Sequence, residues 1–139
     1  MSIQFFAEDV SIPSELETQS ILSIIDTIVS RETSKELDYI NYIFCSDDYL
    51  LNINNEYLQH DYYTDIITFD YSEEVISSDI FVSIDRIIDN AKTNSVSFQS
   101  ELHRVIIHGV LHLVGYNDKT DGEQTIMTQK EDFYLQLMQ

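Results

Sequence analysis

Basic residues are scarce in this chain. Seven Lys and Arg stand against 25 Asp and Glu, for a formal net charge of −18. So few cations cannot build the broad basic face that nucleic-acid binders usually carry. The same imbalance keeps the surface solvated and self-repelling, and it favours approach of a metal ion or a basic protein. The lone Cys45 excludes a disulfide partner and a cysteine zinc cluster, and it fits a reducing cytoplasm. One Pro and three Gly leave no evident flexible linker. The apolar runs are too short to span a membrane, and no basic segment followed by an apolar run stands near the start. Neither a membrane span nor a signal peptide is expected. What the chain does have is 43% hydrophobic residues, nine Tyr and seven Phe among them, in 139 positions. That suffices for a single domain over residues 1–139 with a substantial core.

Periodicity places strands and helices in alternation. Ser2 to Phe6 reads as a short strand. Ser14-Glu-Leu-Glu17 has the form of a capping box, opening a helix to about Thr33 with Ile21, Leu22, Ile25, Ile28 and Val29 as its stripe. Tyr39 to Cys45 reads as a core strand. Asp47 to about Leu58 reads as a helix with Leu50, Leu51, Asn54 and Leu58 near one face. Thr64 to Phe69 and Asp79 to Val82 are β-branched and aromatic, and the polar stretch 72–78 can join them as a hairpin. Ser83 caps a helix carrying Ile84, Ile87, Ile88 and Ala91, and Ser97 opens a longer one. Thr120-Asp-Gly-Glu123 is a second capping box, before a helix whose stripe reads Ile126, Met127, Phe133, Tyr134 and Leu137. The expected fold is α/β (α+β): a mixed, roughly four-stranded sheet with helices packed over it.

The chemistry concentrates in residues 108–118, HGVLHLVGYND. Val105, Ile106 and Ile107 argue for a buried helix running through His112. Residues four apart share a helix face, so His108 and His112 point two imidazoles at one spot. Gly115 ends the helix, because glycine readily adopts the left-handed conformation. The chain then turns back and brings Asp118 to the same spot. Two imidazoles, one carboxylate and an open position make a catalytic-type zinc site for one Zn2+, with other divalent metals as alternatives. Buried imidazoles need partners in any case. Ordinary hydrogen bonds are the plainer alternative, but two histidines at this spacing, with a glycine stop and a carboxylate beyond, favour one metal ion that serves both.

The frame H-x-x-x-H-x-x-G-x-x-D keeps metzincin spacing with two changes of role. Gly109 stands where a metalloprotease has its general-base Glu, and Asp118 where the third His would be. Zinc lowers the pKa of a bound water to about 7 and polarises phosphoryl or carbonyl oxygens. Metal-assisted hydrolysis through a water held by His108, His112 and Asp118 is the reaction class, and the missing Glu argues against a peptidase. Asp121 competes with Asp118 as third ligand but also suits the first turn of the last helix. His60 and His103 read as isolated surface groups, and Tyr116 as packing. Substrate contacts are expected from Arg104, one turn before His108, and from Thr64 and Asp65. The plainer alternatives are a surface charge for Arg104 and strand-end roles for Asp65 and Thr68.

The segment His108 to Tyr116, H-G-x-L-H-L-x-G-Y, resembles the signature of the YbeY endoribonucleases, the rRNA maturation factors. Asn54, Tyr57 and Thr64-Asp-Ile-Ile-Thr-Phe69 resemble a second block of that family, and Asp79-Ile80 a third, with Ser78 in place of Gly. The resemblance implies a single-domain α/β fold holding one zinc ion by three side chains. It also implies metal-dependent cleavage of single-stranded RNA, maturation of the 3′ end of small-subunit 16S rRNA, and ribosome quality control. A basic ribosomal protein is the partner such acidity would attract. Asp118 replaces the usual third His, and Leu58 the usual Arg. An Arg there could hold phosphate and stabilise transition-state charge. The second function class is therefore a ribosome-assembly binding protein with a retained metal site and weak or no catalysis.

Overall fold

The computed structural model describes residues 2–60 and 62–138. Its elements run β1 (Ser2–Ala7), α1 (Thr18–Glu32), β2 (Glu36–Cys45), α2 (Asp47–Leu58), β3 (Ile66–Asp70), β4 (Val75–Ser83), α3 (Ile84–Thr93), α4 (Phe98–Leu113) and α5 (Asp121–Leu137). The strands form one sheet in the order β1-β2-β4-β3. β1, β2 and β4 are parallel, and β3 returns antiparallel on β4 at the edge. The mixed four-stranded sheet expected from the sequence is the one observed. The hairpin forms, but β4 begins at Val75, so residues 75–78 of the stretch read as its turn are strand.

Alternation along the strands divides the core. Ile76, Ile80 and Val82 of β4 enter the large cluster with α1 and α4, while Phe81 packs with the small cluster of Cys45, Leu50, Ile53 and Ile67 beneath α2. The centre of the large cluster is α4. Its apolar residues are buried from Leu102 to Leu113, and Tyr42, itself fully buried, donates its hydroxyl to the Ile106 carbonyl at 3.1 Å. No helix among the described residues is long and apolar enough to cross a membrane.

Three local expectations need correction. α1 starts at Thr18, and Glu17 caps it without a side-chain bond. The amide of Leu16 bonds the Pro13 carbonyl at 3.2 Å, so a turn after Pro13 consumes the segment that resembles a capping box. The buried residues of α5 are Met127, Glu131 and Tyr134, whereas Ile126, Phe133 and Leu137 are exposed. The helix is rotated so that Glu131 and Tyr134 reach polar partners inside. His103 is buried, not superficial, and its Nε2 accepts from the Glu17 amide at 3.4 Å. The second capping box, Thr120 with Glu123, is present with both reciprocal bonds.

Candidate metal centre

α4 carries His108 and His112 one turn apart, with His108 meeting Glu131 of α5 and His112 lining a groove shared with β3. Its end is a Schellman motif. The amide of Tyr116 bonds the Leu111 carbonyl at 3.0 Å, and the amide of Gly115 bonds that of His112 at 3.1 Å. Gly115 has φ of 110°, a conformation that L side chains rarely adopt. The reversal carries Asp118 back over the helix end, and His108, His112 and Asp118 each present a donor atom within 4.8 Å of the others.

The geometry at the centre is tight. Nε2 of His108 lies 3.0 Å from Nε2 of His112. Oδ2 of Asp118 lies 3.1 Å from the first and 3.4 Å from the second. At metal–ligand lengths of roughly 2.0–2.2 Å, a tetrahedron spaces its vertices about 3.3–3.6 Å apart, close to these separations. The outer nitrogens are already committed. Nδ1 of His108 meets Oε2 of Glu131 at 2.5 Å, and Nδ1 of His112 meets the Tyr116 carbonyl at 2.9 Å. Both partners accept, so each Nδ1 donates. In neutral rings the two Nε2 atoms then carry lone pairs, which face each other and a carboxylate oxygen. Three electron-rich atoms at that spacing need a cation or a proton between them, and the donor set fits a divalent metal.

The two rings differ electrostatically. Burial opposes an imidazolium at His108, but the hydrogen bond and charge of Glu131, with Asp65 and Asp118 beyond, outweigh it and raise its pKa above the ordinary range. At His112, burial and the charge of His108 lower the pKa, with Asp118 and the Tyr116 carbonyl only partly offsetting them. Gly109, next to His108, faces the other way. A Cβ there would meet the tips of Ile66 and Ile80 at 3.0 and 3.1 Å. The position that holds a peptidase's Glu is pressed against the sheet, with no room for a carboxylate.

A family model described as Endoribonuclease YbeY matches residues 2–139. The chain belongs to the YbeY family. A relative of Parabacteroides distasonis named Endoribonuclease YbeY is 46% identical over 99% of this chain and 96% of its own length. One of Cytophaga hutchinsonii with the same name is 49% identical over 98% and 95%. The solution structure of TM1509 from Thermotoga maritima aligns with TM-score 0.69 and 28% identity, covering 98% of this chain and 88% of that one.

In this YbeY-family chain the other residues singled out from the sequence have distinct places. Thr64 shares with His112, Leu58, Asn54 and Thr68 a groove of about 350 Å³ that leads away from the centre. Leu58 is 41% exposed and supplies that groove with no charge. Asp65 is half-buried and faces Asn90, whose amide lies 3.5 Å from Oδ2. Burial raises its carboxyl pKa above the usual range, with the charge of His108 pulling the other way. Arg104 is held by carboxylates of α5, at 2.9 Å from Glu131 and 2.6 Å from Asp132. Asp121 opens α5, and the three-residue group is completed by Asp118 instead. His60 is exposed and stacked on Tyr62.

Tyr116 does more than pack. Its carbonyl orients His112, and its hydroxyl donates to Glu32 at 2.7 Å. Glu32 also accepts from Lys130 at 3.1 Å and from the Tyr134 hydroxyl. Glu131 escaped the sequence reading altogether. Its signal was a charged residue in phase with Met127 and Tyr134, since a carboxylate on a buried stripe is rare unless paired.

Proposed function

We propose that this chain, as a single domain over residues 1–139, is a metal-dependent endoribonuclease acting on single-stranded RNA. The observation that carries the reading is the convergence of two Nε2 lone pairs and one carboxylate oxygen within 3.0–3.4 Å. The name of those relatives, Endoribonuclease YbeY, supports the RNA substrate. His108, His112 and Asp118 would hold one Zn2+, or another divalent ion. A metal held there supplies a Lewis acid for phosphoryl oxygens and lowers the pKa of a coordinated water. The residues supply the rest. Two neutral imidazoles and one carboxylate leave the loaded centre one unit less positive than three imidazoles would, which weakens the pull on a phosphodiester. The groove from His112 past Thr64 and Thr68 accepts a single strand. By resemblance to the family, the substrate is the 3′ end of small-subunit 16S rRNA during maturation and quality control in the cytoplasm, with a basic ribosomal protein as partner.

A second reading, an assembly factor that retains the metal but cleaves weakly, is favoured by one feature. Among the described residues no Lys or Arg lines the groove beside His112, and the Arg nearest in sequence, Arg104, is already paired with two carboxylates. Cleavage of a labelled single-stranded RNA by the wild type and by His108→Ala, with and without a chelator, separates the readings. Chelator-sensitive cleavage lost in the variant supports the nuclease. Equal cleavage by both proteins rejects it, and metal binding without cleavage favours the assembly factor.

A further inference from the structure

Arg104 and Glu131 meet beside the centre without belonging to its ligand set. Glu131 is only 6% exposed, and both of its oxygens are engaged. Oε2 takes His108 Nδ1 at 2.5 Å and Oε1 takes Arg104 Nη1 at 2.9 Å. The two donors stand one turn apart on α4, so a single carboxylate from α5 spans them. The other arm of the guanidinium is tied to Asp132 at 2.6 Å. The guanidinium is thus clamped by two successive residues of α5, and its side chain is 30% exposed.

We infer that Glu131 and Arg104 are positioning residues for the metal centre: Glu131 fixes the ring and tautomer of His108, and Arg104 fixes Glu131. The inference rests on the ligand set proposed above. A neutral imidazole carries its proton on either nitrogen. A carboxylate at Nδ1 selects the Nδ1–H form and leaves the Nε2 lone pair aimed at His112 and Asp118. The plane of the ring is set at the same time, because Oε2 cannot move without breaking the Arg104 bond. Arg104 also balances the Glu131 charge, so that this carboxylate does not add to the negative charge Asp118 already brings. This assigns Arg104 to the support of the centre and takes it out of any strip that meets RNA.

Two measurements on the full chain test the pair. In 15N-resolved imidazole spectra of metal-free protein above the range where the rings protonate, wild-type His108 is expected as the Nδ1–H tautomer. Glu131→Gln offers an amide in place of the carboxylate and is expected to show a mixture with Nε2–H. In competition with a chromophoric chelator, its affinity for Zn2+ is expected to fall on the order of 10-fold to 100-fold, as for other partners of metal-bound His. Arg104→Met is expected to weaken zinc in the same direction by less, and Arg104→Lys to recover part of the loss. A Glu131→Gln protein with wild-type affinity and the wild-type tautomer overturns the inference, whatever its thermal stability. If that variant does not fold, wild-type affinity in Arg104→Met overturns it. A wild type that binds no zinc rejects the ligand set itself, and this inference with it.

Discussion

His108 and His112 reach the same point by different means. His108 lies inside α4 and is oriented by a buried carboxylate from α5. His112 lies in the last turn and is oriented by a backbone carbonyl of the loop that also delivers Asp118. The first arm depends on how two helices and the sheet pack. The second depends on a glycine at φ of 110° and on a Tyr116 hydroxyl anchored to Glu32. Packing fixes the helical arm from many sides, so a change beside it is felt by the whole core. A few specific bonds fix the loop arm, and this arm is where the chain carries Asp118 in place of the His that the resemblance implies.

The largest break in the helical arm is Gly109→Glu, which would give the centre a peptidase-like sequence. It forces a carboxylate between Ile66 and Ile80, and burying an unpaired charge costs on the order of 3 kcal/mol or more. Denaturant titration should show loss of most of the folding stability, and no peptidase activity should appear.

The anchor of the loop arm comes next. Burial opposes ionisation of Glu32, but the hydrogen bonds from Tyr134, Tyr116 and Lys130 outweigh it and hold its carboxyl below the usual range. A depressed carboxylate stabilises the fold above its unfolded pKa of about 4.3, and that contribution is lost as pH falls through the lower folded value. Glu32→Gln should therefore cost about 1.5–3 kcal/mol near neutral pH. The difference from wild type should shrink as pH drops below about 4. A difference independent of pH would show that the Glu32 charge is not what anchors the loop.

Gly115→Ala is smaller. A side chain at positive φ costs about 1–2 kcal/mol, and space is not the obstacle, since nothing lies within 4 Å of an added Cβ. The stability loss should come with weaker zinc binding, because the same turn sets Asp118 and the Tyr116 carbonyl. Full zinc affinity in that variant would show that the turn does not control the loop arm.

The parts legible in the sequence were those governed by local rules. Helical spacing gave away the two histidines, the glycine stop lay where the Schellman turn forms, and the Thr120 capping box formed as its pattern requires. Tertiary choices were not legible. The Ser14 pattern met the rule for a cap, yet the turn after Pro13 took the segment first. Of the expected α5 stripe Met127 and Tyr134 are buried, but Ile126, Phe133 and Leu137 are exposed, because α5 turns Glu131 inward beside Tyr134 to partners on α4 and α1. Arg104 lay on the expected face, while the carboxylates that hold it are 27 and 28 residues away. No periodicity encodes a partner at that distance.

Zinc content after equilibration with buffered Zn2+ tests the three-ligand centre most directly. One ion per chain is expected in the wild type and almost none in His112→Ala, which removes the helical end of the loop arm. Asp118→His, which restores the ligand type implied by resemblance, is expected to bind as tightly or more tightly. Stoichiometric zinc retained in His112→Ala, or full binding in Asp118→Ala, would contradict the centre described here.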